Sequence, residues 1–86
     1  MLYRLIQNPV DKVERKDLGL FDSPAGAKVR IQNEGFSILY EEEDSSHPGC
    51  WDIAATKPGA TIMIGGQRRR LEGASTLELF AIEKED

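Results

Sequence analysis

Ala60-Thr61-Ile62-Met63-Ile64-Gly65-Gly66-Gln67-Arg68-Arg69-Arg70-Leu71 reads as a β-hairpin. Two runs with strand-forming residues meet at a pair of glycines, and glycine supplies the positive φ angles that a tight primed turn demands. A two-residue loop sets the register. Ile64 then lies opposite Gln67, Ile62 opposite Arg69 and Ala60 opposite Leu71, while Met63 and Thr61 face Arg68 and Arg70. Either face of this hairpin mixes arginine with apolar residues.

Outward from the hairpin, the chain continues in short alternating runs closed by Gly, Pro or Asn. Thr56-Lys57-Pro58-Gly59 has Pro and Gly where a type II turn wants them, so a separate strand is predicted over Cys50 to Ala55. A last strand is expected over Thr76 to Ile82, folding back so that Glu78 meets Arg69. Upstream, Leu2 to Gln7 reads as a first strand before Asn8-Pro9. Ala27 to Gln32 alternates, with Val29 and Ile31 on one face and Lys28, Arg30 and Gln32 on the other. Asn33-Glu34-Gly35 suits a three-residue hairpin loop into a strand that turns Phe36, Ile38 and Tyr40 inward. Between Asn8 and Gly19, a cap residue, a Pro and a terminal Gly predict a short helix over Val10 to Leu18, with a polar loop as the alternative.

Together these runs give a mainly β domain with a small α+β margin. Six or seven antiparallel strands form a small barrel or sandwich, with one short N-terminal helix. At 86 residues the chain makes a single domain, 1–86, with residues 83–86 expected to fray. So small a chain buries only about 60% of its unfolded surface, which makes a homo-oligomer a natural expectation.

Eleven basic residues against fifteen acidic give a formal charge of −4, a field that opposes nucleic-acid binding. No apolar run approaches the length of a membrane span, and the start, MLYRLIQNPVDK, lacks the pattern of a signal peptide. A cytoplasmic protein is expected, and one cysteine agrees with a reducing compartment.

Few residues can carry chemistry. His47-Pro48-Gly49-Cys50 brings together the residue types of a zinc or thiol–histidine site, but one His and one Cys fall short of four metal donors. No metal and no cofactor are expected. Cys50 beside Trp51 reads first as a packing residue and second as a nucleophile lacking an orienting partner. Gly65-Gly66 lacks the following helix and the Lys-Ser/Thr of a phosphate loop. Glu41 to Asp44 lacks the spacing of a calcium loop, and Glu41 to Pro48 reads as an open, solvated and mobile loop.

Two functional readings remain. In the first, the chain is a non-enzymatic interaction module that self-associates, through edge strands or by docking Arg68, Arg69 and Arg70 against Glu41 and Glu42 of another copy, with another protein as a further partner. In the second, it binds a small molecule beside the 44–51 loop, using Trp51, Tyr40 and His47. An enzyme ranks third.

Overall fold

The computed structural model describes residues 1–85, and for 60–63, 68 and 70–74 the backbone alone. It contains β1 (Leu2–Gln7), β2 (Lys16–Phe21), α1 (Pro24–Asn33), β3 (Ser37–Glu43), β4 (Trp51–Ile64) and β5 (Gln67–Glu85). The five strands form one antiparallel sheet in the order β2-β1-β5-β4-β3. The mainly β expectation holds, but the sheet is open. It is neither a barrel nor a sandwich, and its second layer is the single helix.

That helix is not where the sequence places it. Residues 24–33, where alternation over Ala27 to Gln32 suggests a strand, form α1, because Ser23 caps it: its hydroxyl accepts from the Gly26 N–H at 3.1 Å, and Pro24 follows at the first helical position. The alternation that suggests a strand also satisfies a four-residue spacing. Ala27 and Ile31 are fully buried on one helical face, whereas Val29 is half exposed. An Arg30–Glu34 pair at 2.8 Å supports the last turn.

The helix expected over 10–18 is absent. Asp11 accepts the N–H groups of Val13 and Glu14 in a local turn, and Val10 and Val13 stay exposed, so no apolar face exists for a helix to bury. The chain instead turns back as β2, which brings Leu18 and Phe21 against the core.

β4 and β5 decide the shape. At the expected turn over 56–59 the chain runs straight on, giving a strand of 14 residues and one of 19. β3 pairs with β4 only as far as Thr56, so Pro58 lies where β4 has become an edge and its missing N–H is tolerated. A register shift puts Gly59 alone against residues 72–74, between the pairs Pro58–Ser75 and Ala60–Leu71. The Gly65-Gly66 turn stands, with φ 57° and 80°, and the predicted register from Ile64–Gln67 to Ala60–Leu71 is observed. Glu78 pairs with Ala55 rather than Arg69. Residues 57–76 therefore form a two-stranded arm, and the molecule measures 48 × 23 × 20 Å.

At the other end, β1 and β5 pair from Leu2–Glu85 to Gln7–Phe80, so that Glu83 to Glu85, expected to fray, lie opposite β1. One sheet face carries Leu5, Ile53, Ala55, Phe80 and Ile82 against Ala27 and Ile31 of α1. Phe36 meets Phe80 edge-on with ring centroids 5.4 Å apart, and the Lys57 ammonium lies over Phe36 at the root of the arm. The opposite face has no helix on it. There Tyr40, Leu77 and Leu79 stay exposed.

Candidate functional site

The candidate site residues separate into three places. The first is the 44–50 connection, expected to be open and instead closed on itself. Asp44 N–H donates to Cys50 O at 2.8 Å, His47 N–H to Asp44 O at 3.1 Å and Cys50 N–H to His47 O at 3.0 Å. The Asp44 carboxylate accepts from Ser46 N–H at 2.9 Å and faces His47 Nδ1 at 3.2 Å. These contacts, the backbone N–H first and the imidazole second, hold the Asp44 carboxyl below its ordinary value. Gly49 has φ +91°, and a Cβ there would come within 3.0 Å of Lys84 Cδ and 3.3 Å of Tyr3. The loop thus packs down on the sheet end, and its Asp44, His47 and Cys50 join Trp51, Glu83 and Lys84 around a cleft of about 390 Å³.

Trp51 opens β4 and is half-buried against the core. The Lys28 ammonium of α1 lies 3.8 Å from its ring centroid and 3.3 Å from the Glu41 carboxylate, pinning the helix to β3 and β4 together. Its indole N–H is shielded from solvent and meets no acceptor among the described residues. The cleft offers a carboxylate–imidazole pair and a thiol. Among the described residues no group of three His, Cys, Asp or Glu is arranged to hold a metal.

The second place is the helix-free sheet face. Tyr40 is expected inward beside Trp51, yet the irregularity between Ile38 and Tyr40 turns it out, paired with Ala54. Its hydroxyl donates to Glu42, and this carboxylate raises the tyrosine's pKa. Tyr40, Ala54 and Leu79 meet Pro9 and Val10 around a smaller cleft of about 190 Å³. The Asn8 N–H donates to Leu79 O at 2.7 Å and holds that connection over β5. Alternation alone could not reveal this cleft, because its members come from three separate segments and a bulge.

The third place is the arm. Arg69 pairs with Ile62 in register and its side chain is exposed, whereas the side chains of Arg68 and Arg70 lie outside the described residues. Glu41 pairs with Ile53, nine β4 residues from Ile62. At about 3.3 Å per residue the two sites lie some 30 Å apart. The structure therefore brings His47 and Trp51 together, moves Tyr40 to another face and separates the arginines from Glu41 and Glu42.

No protein family, curated protein or solved structure matches this chain. Among the described residues, no helix is long and apolar enough to cross a membrane.

Proposed function

We propose that this chain is a non-catalytic β module that self-associates, the basic arm of one copy meeting the acidic body of another. One observation carries the reading. Residues 57–76 hold four basic residues and one acidic, net +3, while the remainder holds seven basic against fourteen acidic, net −7. The extended arm keeps Arg69 about 30 Å from Glu41 and Glu42 of its own chain, so these opposite charges meet only between molecules. An isolated two-stranded ribbon is also marginal in water, and a partner surface would supply what the arm lacks.

Light scattering behind size exclusion tests this. A dimer or small oligomer is expected at low salt, loosening as salt rises, with Arg68→Glu/Arg70→Glu converting it to a folded monomer. A wild-type chain that stays monomeric at every concentration and salt would remove the proposal.

A second reading rests on the cleft of about 390 Å³, with Trp51 and the Asp44–His47 pair in its wall: a small polar molecule held between Trp51 and His47. Tyr40 takes no part in it.

A further inference from the structure

We infer that the arm tip of one copy seats on the helix-free sheet face of a second copy, at the cleft formed by Tyr40, Ala54 and Leu79. The inference rests on the self-association reading above and gives it a site. Each half of the contact lacks something that the other provides. The face is apolar and exposed, with Leu77 64%, Tyr40 51% and Leu79 45% accessible, and it continues into the cleft of about 190 Å³ walled by Pro9 and Val10. Glu42, Asp52 and Glu83 are exposed and lie on that face by register with Tyr40 and Ala81; Arg4 stands opposite Glu83, and none of the three acids makes an ion pair among the described residues. An apolar floor with acidic neighbours calls for an occupant that is apolar and basic.

The arm has that chemistry. Its tip presents Ile64, 53% exposed, and the sequence beside it supplies Ile62, Met63 and three consecutive arginines. Three bases of the body are already engaged, Arg4 by Asp17 and Glu85, Arg30 by Glu34 and Lys28 by Glu41. Symmetry makes the contact reciprocal. The cleft lies at Ala54, ten β4 residues from Ile64, so two chains laid antiparallel about a two-fold axis put each tip on the other's cleft at once. In that arrangement Arg68, opposite Met63, comes level with Ala55 of the second copy, three residues from Asp52.

The test uses single thiols in a Cys50→Ser chain. Ile64→Cys mixed with Leu79→Cys should form a disulfide-linked dimer in several-fold greater yield than either variant alone. If Ile64→Cys cross-links to itself equally well and mixing adds nothing, the arms pair with each other: self-association stands and the face site falls. If the chain is a monomer before oxidation, both fall. As a second measurement, Leu79→Asp, at a half-exposed position, should weaken dimerisation at least tenfold with an unchanged circular dichroism spectrum. Undiminished dimerisation would overturn the site.

Discussion

The body and the arm are built from the same two strands, yet opposite forces hold them. At Ile53 and Phe80, β4 and β5 are flanked by β3 and β1 and covered by α1, and both side chains are 2% exposed. Beyond Lys57 and Thr76 the same strands keep their mutual pairing and, among the described residues, no third strand pairs with them; Ile64 there is 53% exposed. Backbone pairing is common to both regions. What differs is burial, and burial supplies most of the stability of a small domain.

The sharpest way to break this comparison is one substitution made twice. Ile53→Ala should cost about 2–5 kcal/mol, enough to unfold much of a domain this small. Ile64→Ala, measured at monomer concentrations, should stay within about 0.5 kcal/mol by urea denaturation. Equal costs would show that the arm is packed in the free chain. A smaller effect isolates the helix that makes the body different: Ser23→Ala removes the cap on α1 and should cost about 1 kcal/mol. A melting temperature unmoved by that change would mean that tertiary packing alone holds α1.

The smallest effect is a pH dependence confined to the body. Asp44 titrates below its ordinary value of 3.8, so its contribution is fully present above that value and is lost as pH falls through the lowered one. Thermal melts across the acid limb should show a shallower fall for Asp44→Asn than for the parent. Identical limbs would mean that the 44–50 loop stays closed without the carboxylate.

Legibility from the sequence followed the same division. Where local chemistry had no rival, as at Gly65-Gly66, both turn and register could be read in advance, because only glycine meets two consecutive positive φ angles so easily. At residues 24–33 two patterns competed, since Ala27, Val29 and Ile31 fit an alternating strand while Ala27 and Ile31 also fit a helical stripe. The Ser23-Pro24 start was the signal that could have decided it. The site was less legible. His47 and Trp51, four residues apart, line one cleft, whereas a bulge that breaks the period-two rule carries Tyr40 to the other face.

The sequence by itself determined a mainly β chain, the hairpin tip with its register, and a net acidic charge with three consecutive arginines beside that tip, because each follows from residues adjacent in the chain. Tertiary structure decided the rest. It closed Thr56 to Gly59 into a continuous strand, put α1 on one face, left the other bare and set the arginines about 30 Å from the acids. Each of these depends on which neighbour a segment finds in space, and a strand, a turn and an edge differ in that neighbour more than in their own residues.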